Sequence, residues 1–412
     1  MERSTGVDVA AGGGTAARWL VGAAGVSALG DGIRFAALPL LATVLLRDGF
    51  QVAVVTAATT LPWLLFGLPA GAYADRVDRR RLMVRADLLR AGTLVAAIGL
   101  LAAGWLTLWP LVAVAFLLGV GEVLFDCAAF AFLPSVVRPE RLETVNSRLF
   151  AVQTLCRDLL GHVLGGVLFA AHRLVPFAVD AVSFLLSAAL LANIRGPAAA
   201  PAAPATDGHA GVRLWRDIRD GVAYVAGDPL LRVLTVTAGL INAVYLGQIA
   251  VFVILVREVL GLPSAAYGLL VSAGALGGVL GGAVAAAVAR SAGRVPALLG
   301  SLALIGAAGL GVAATASTAV VAVAWAAGGA GIMVWNVVAV SLRQSIIPDR
   351  LRGRATGVYR LVAWGMMPFG ALAFGWVSDT AGPRGAFAAG GVVLLALCPL
   401  VAPALRRDGR AG

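Results

Sequence analysis

Apolar residues run along this chain in blocks of about twenty, separated by short segments rich in arginine, proline and glycine. About twenty apolar residues is what an α-helix needs to cross a hydrocarbon layer roughly 30 Å thick. Twelve blocks qualify, at about 18–46, 51–74, 86–106, 109–133, 147–171, 174–194, 231–256, 265–289, 295–314, 318–342, 355–378 and 385–404. The pattern predicts an all-α polytopic membrane protein with 12 transmembrane helices.

The blocks divide six and six. Between the sixth and seventh lies RGPAAAPAAPATDGHAG, a Pro/Ala linker without a periodic apolar face. After it Leu214, Ile218, Val222 and Val225 recur at helical spacing while Arg213, Arg216, Arg219 and Asp220 face elsewhere. That spacing predicts an amphipathic helix at the membrane surface. The expected organisation is a first bundle over 1–194, a linker with the amphipathic helix over 195–230, and a second bundle over 231–412. RPERLETVN (138–146) and IPDRLRGRA (347–355) repeat weakly between the halves, with Pro139 against Pro348, Arg141 against Arg350 and Leu142 against Leu351. A duplicated six-helix unit about a pseudo-two-fold axis along the membrane normal is an architecture of secondary transporters.

Composition narrows the chemistry. The 412 residues are 60% hydrophobic and only 13% charged, about half the charge of a soluble domain. Every basic residue is arginine, 32 in all. Without lysine there is no Walker A phosphate loop and no Schiff-base chemistry. The net charge of +11 does not call for nucleic acid, because the arginines sit in short loops. With the N-terminus inside, 25 arginines fall in cytoplasmic segments, four outside (Arg47, Arg173, Arg257, Arg384) and three within spans (Arg34, Arg157, Arg360). This asymmetry predicts both termini in the cytoplasm. Cys127, Cys156 and Cys398 all lie in apolar blocks and read as small hydrophobes, neither a disulfide framework nor a metal site. No cleavable signal peptide is evident, and no extramembrane segment is large enough for an enzyme. No cofactor or metal motif is found, and a monomer in contact with membrane lipids is expected.

After the second block comes GAYADRVDRRR, residues 71–81. Gly71, Asp75, Arg76, Arg79 and Arg80 fit the loop signature G-x-x-x-D-R-x-x-R-R, so the chain resembles the major facilitator superfamily over nearly its whole length. The strings LGDGIRFAALPLLA, LPWLLFGLPAGAYADRVDRRRL and PFAVDAVSFLLSA are similar to the drug:proton antiporters of the macrolide- and enterobactin-exporter type. The resemblance implies a gating loop in which Asp75 holds the halves together near Gly353, Arg354 and Ala355. Glycine at 71 would let span 2 pack closely on a neighbour, and Arg79, Arg80 and Arg81 would meet anionic headgroups. The equivalent loop after span 8, AAAVARSAGR (285–294), has Ala289 where Asp75 would fall, so the latch looks one-sided. In span 5, Gly161, Gly165 and Gly166 match the antiporter signature G-P-x-x-G-G, with His162 in place of proline. Restoring that backbone N–H predicts a straighter helix. His162 would then pack, donate a hydrogen bond across helices, or titrate near physiological pH. Neighbouring branches carry R-x-x-x-G in span 4, where this chain has Ala115 before Gly119, so that proton route does not carry over.

Charges inside a bilayer cost on the order of 2.5–3.5 kcal/mol each on insertion scales, which makes them functional candidates. Span 1 has Asp31 and Arg34, three apart on one face. Span 4 has Glu122 and Asp126, and span 5 has Arg157 and Asp158. One network is expected, with Glu122 and Asp126 carrying the coupling proton, Asp31 as a third candidate and Arg157 as counter-charge. A permanent ion pair that only ties helices together is the competing reading. Asp180, near one end of span 6, is expected to cap structure.

For a small amphipathic cargo the candidates are Asn242, Tyr245 and Gln248 at three-residue steps in span 7, Trp335 and Asn336 in span 10, and Trp364 and Met367 in span 11. Amides, aromatics and methionines suit an accommodating pocket, though interhelical bonding and core packing use the same residues. The resemblance implies a proton-coupled exporter of drugs or natural products. An importer or symporter of the same fold, and a transport-inactive scaffold or sensor, stand as alternatives.

Overall fold

The computed structural model describes residues 9–74, 76–137, 141–194 and 210–408. The described chain is helical almost throughout, because a backbone in hydrocarbon must satisfy its own N–H and C=O groups. The first half comprises α1 (Val9–Leu45), α2 (Gly49–Ala74), α3 (Arg79–Ala102), α4 (Leu108–Val136), α5 (Leu142–Gln153), α6 (His162–Ala171) and α7 (Val175–Ala192). After α8 (Ala210–Gly227) come α9 (Pro229–Ile254), α10 (Ser264–Ala292), α11 (Arg294–Ala314), α12 (Thr318–Ile346), α13 (Asp349–Gly365) and α14 (Met367–Asp408).

Ten stretches among the described residues are long and apolar enough to cross a membrane, and the last of them, Gly353–Arg406, is 54 residues long. It holds two crossings, because α14 breaks at Gly382, where φ is 77° and only glycine is at ease. The remaining crossing, α3, is 24 residues long. Its polar residues keep it off an apolar count, although it matches the others in length. Among the described residues this makes twelve crossings, as the apolar blocks predict.

Packing divides the chain into two compact units: Met1–Ala37 with Leu65–Thr206, and Leu38–Leu64 with Asp207–Gly412. In the first, Leu20, Met83, Ala86, Phe125 and Phe132 form a buried cluster. In the second, Leu234, Leu298, Leu302, Trp335 and Leu394 do so. Apolar side chains such as Leu280, Val323 and Leu400 remain exposed, as expected where lipid is the solvent.

Span 5 departs from expectation. Residues Thr154–Gly161 form a π-helical turn between α5 and α6. The helix is therefore not simply regularised by the missing proline: the irregularity sits one turn earlier and carries Arg157 and Asp158. Wide turns of this kind occur mostly as single insertions at functional sites. Gly161 and Gly165 let the span lie against α1, since a Cβ on Gly161 would come within 2.7 Å of Gly32 Cα. Helix α8 forms as its spacing predicts. Its Val225 is buried with Leu231, Ile347, Ala355 and Val358, whereas Val222 is exposed. The side chains of Leu214 and Ile218 lie outside the described residues.

Candidate functional site

Five elements of the first unit bring ionisable side chains to one place. Helix α1 supplies Asp31 and Arg34, whose carboxylate and guanidinium meet at 2.7 Å across one helical turn. Arg34 reaches on to Asp180 of α7 at 3.2 Å and to Glu122 of α4 at 3.9 Å. Arg157, presented by the π turn, lies 3.5 Å from Asp31 and 3.9 Å from Glu122. From α3, Arg90 approaches the second Asp31 oxygen at 3.4 Å, donates to Ser27 Oγ at 3.3 Å and pairs with Asp87 on its own helix. The Arg90 guanidinium is sandwiched by rings, 4.1 Å from the centroid of Phe184 and 4.8 Å from that of Phe125. Gly121 makes room for it, because a Cβ there would come within 2.5 Å of Arg90 Cγ.

These seven side chains form one connected network: three guanidiniums (Arg34, Arg90, Arg157) and four carboxylates (Asp31, Asp87, Glu122, Asp180). Arginine does not deprotonate in proteins. With every carboxylate ionised the cluster carries one surplus negative charge in a low-dielectric setting, where an uncompensated charge is costly. One added proton neutralises it. Asp87 and Asp180 side chains are fully buried and Asp31 nearly so, whereas Glu122 keeps 23% of its side-chain surface accessible. Glu122 is thus the most accessible carboxylate of this cluster.

The expected network of Asp31, Arg34, Glu122 and Arg157 is therefore joined by ion pairs, whereas Asp126 and Asp158 lie within electrostatic range of Arg157 without pairing with it. Asp126 and Asp158 are half-buried, and neither comes within ion-pair distance of an arginine among the described residues. Asp180 is corrected from a helix cap to a buried partner of Arg34. Asp87 and Arg90 join the network although neither is among the residues the sequence singles out, and Arg90 lies within span 3. The signal available was Asp87–Arg90 spaced three apart, the same spacing as Asp31–Arg34. His162 is buried, with its ring 4.9 Å from that of Phe35.

In the loop after α2, Asp75 lies outside the described residues. Asp78, not singled out above, caps α3 by accepting from the Arg81 N–H at 3.1 Å. Arg79 donates to the carbonyl of Ala131 at 2.8 Å and Arg80 to that of Ile194 at 2.6 Å. These two arginines are committed to the carbonyl-rich ends of α4 and α7, where positive charge is favoured, and not to headgroups alone. Arg76 and Arg81 are exposed. A Cβ on Gly71 would meet nothing within 4 Å, so the close approach expected there is not made.

The cargo candidates of the second unit scatter. Tyr245 stacks on Trp325 at 6.2 Å, and Trp325 on Phe252 at 4.5 Å. Gln248 is buried against α11, where a Cβ on Gly309 would come within 2.9 Å of its amide nitrogen. Trp335 is 1% exposed in the core and cannot line an open pocket as it stands. Asn242, Asn336 and Met367 are half-buried. Trp364 packs edge-on against Trp63 at 4.7 Å.

Residues 14–406 match the family of transmembrane secretion effectors, within the major facilitator superfamily. The chain belongs to that family. As a member of it, the protein is a transporter and not an enzyme. It is 27% identical over 382 residues to the multidrug efflux pump Tap of Mycolicibacterium fortuitum, covering 89% of this chain and 90% of that protein. To the Mycobacterium tuberculosis (strain ATCC 25618 / H37Rv) pump of the same name it is 31% identical over 182 residues, 41% of this chain. That match spans 42% of the length of the M. tuberculosis pump. Among solved structures, the fold of this secretion effector is similar to a bacterial homologue of the iron transporter ferroportin in its inward-facing state. The TM-score is 0.75 at 19% identity, over 95% of this chain and 98% of that one. A bacterial homologue of the human lysosomal transporter Spinster, inward-facing and occupied, gives a TM-score of 0.72 at 14% identity, over 96% of each chain. The multi-pass major facilitator fold follows from both.

Proposed function

We propose that this transporter is a proton-coupled exporter of amphipathic drugs or natural products, working by alternating access in the cytoplasmic membrane. The observation that carries the reading is the surplus carboxylate of the seven-residue network and the partial exposure of Glu122, alone among its four carboxylates. A cluster that alternates between net charge −1 and 0 is what exchange with protons requires, since access from one side or the other shifts the balance between desolvation and arginine attraction. Relatives named as multidrug efflux pumps support export as the direction. In this reading both termini are cytoplasmic.

The test uses the purified chain in liposomes with an imposed pH gradient and a panel of amphipathic dyes. Dye accumulation should be driven by protons moving the opposite way. Glu122→Gln should abolish the dependence on the gradient while leaving downhill dye exchange. Gradient-driven accumulation that survives Glu122→Gln would sink the coupling role. Dye and protons moving together would make the chain a symporter.

A further inference from the structure

The membrane-embedded charges of the two units are handled differently. In the first unit, every arginine of the network faces a carboxylate. In the second, Arg343 of α12 and Arg360 of α13 have no carboxylate within ion-pair distance among the described residues, although Arg354 pairs with Asp220 at 3.3 Å. Arg343 is 7% exposed, its Nε has no hydrogen-bond partner, and its Cζ stands over the Tyr359 ring at 3.2 Å from the centroid. Arg360 is exposed in a membrane-spanning stretch and stands 5.8 Å over the Trp364 ring, which in turn packs on Trp63. The two arginines are within electrostatic range of each other.

A buried arginine without an acceptor for its Nε, with a second arginine in electrostatic range, is an arrangement that an isolated protein gains nothing by keeping. A guanidinium over an aromatic face remains suited to a two-oxygen acceptor such as a carboxylate or phosphate. The rings of Trp364 and Trp63 beside it offer apolar surface for a chain attached to that acceptor.

We propose that Arg343 and Arg360, with Tyr359 and Trp364, form a binding site for the anionic head of an amphiphile, either a carboxylate- or phosphate-bearing cargo or a lipid headgroup. As a statement about cargo this rests on the exporter reading above. As a statement about binding it does not.

The experiment titrates the purified full-length chain, in neutral detergent, with decanoate, decyl phosphate and decyltrimethylammonium, and follows tryptophan emission. Both anions should bind saturably, and the cation should neither reproduce the change nor displace them. Arg360→Gln, at an exposed position where folding is not at stake, should weaken both anions at least ten-fold. Arg343→Lys should weaken them less than Arg343→Gln. Unchanged anion binding in Arg360→Gln, or a cation that binds as well as the anions, would overturn the proposal. Repeating the titration in nanodiscs of phosphatidylcholine with and without phosphatidylglycerol separates the two sources. Displacement of decyl phosphate by the anionic lipid assigns the site to a headgroup, and undiminished binding assigns it to cargo. Because binding is read at equilibrium without a gradient, failure of proton-driven dye flux would leave this result standing.

Discussion

Arg90 of α3 lies 3.4 Å from the carboxylate of Asp31 on α1, joining the Asp87–Arg90 pair of α3 to the charges of α1. Arg90 is 1% exposed and is flanked by the Phe125 and Phe184 rings, so nothing but protein surrounds it. Removing it leaves Asp87 without its arginine. Arg90→Leu should destabilise the protein by about 3–5 kcal/mol, the range for breaking one side of a buried pair. Thermal unfolding in detergent measures this. The double variant Arg90→Leu with Asp87→Leu should recover part of the loss, because the orphaned charge goes with its partner.

Gly165 faces the carbonyl of Ile33, and a Cβ there would come within 3.0 Å of the Ala36 methyl. Gly165→Val should cost about 1–3 kcal/mol through overpacking. It should also displace the π turn and with it Arg157, so dye exchange should fall more than the loss of stability explains. Thermal unfolding and flux measured on the same preparation check both parts.

Asp379 of α14 accepts hydrogen bonds from the backbone N–H groups of Gly49 and Phe50, at 2.8 and 3.0 Å, and so caps the start of α2 from 330 residues away. Asp379→Ala should lose roughly 0.5–2 kcal/mol, as for other N-cap deletions. A cysteine placed at Asp48 should then react faster with a water-soluble maleimide, and an unchanged labelling rate would deny the cap its hold on this end.

Trp335 and Trp364 should respond in opposite ways. Trp335→Ala empties a site in the core and should cost on the order of 3–5 kcal/mol. Trp364→Ala, at a half-buried position, should change the unfolding temperature little but weaken amphiphile binding. Thermal unfolding and tryptophan-emission titration of the two variants distinguish core from site.

His162 packs its ring on Phe35 in a buried position. His162→Phe keeps the volume and the ring contact, so stability should stay within about 1.5 kcal/mol. The pH profile of dye flux should not move, and a moved profile would return His162 to the proton path.

What the sequence determined by itself is the set of crossings and the pairing of Asp31 with Arg34. Each of these is local: a helix in hydrocarbon satisfies its own backbone and needs only length and apolarity, and residues three apart share a face whatever surrounds them. The amphipathic helix of 210–227 was legible for the same reason. The tertiary structure decided which charges meet. Asp126 and Asp158 share spans with Glu122 and Arg157 yet form no ion pair with an arginine among the described residues, while Asp87 and Asp180 do and Arg90 joins Asp87 to Asp31. That outcome depends on the azimuth of each helix and on how near two backbones can come. Glycines such as Gly121 and Gly161 set those distances through contacts with residues far away in the chain. The same physics moved Trp335 into the core and left Arg343 without a carboxylate, because hydropathy along one helix carries no information about what the neighbouring helix presents.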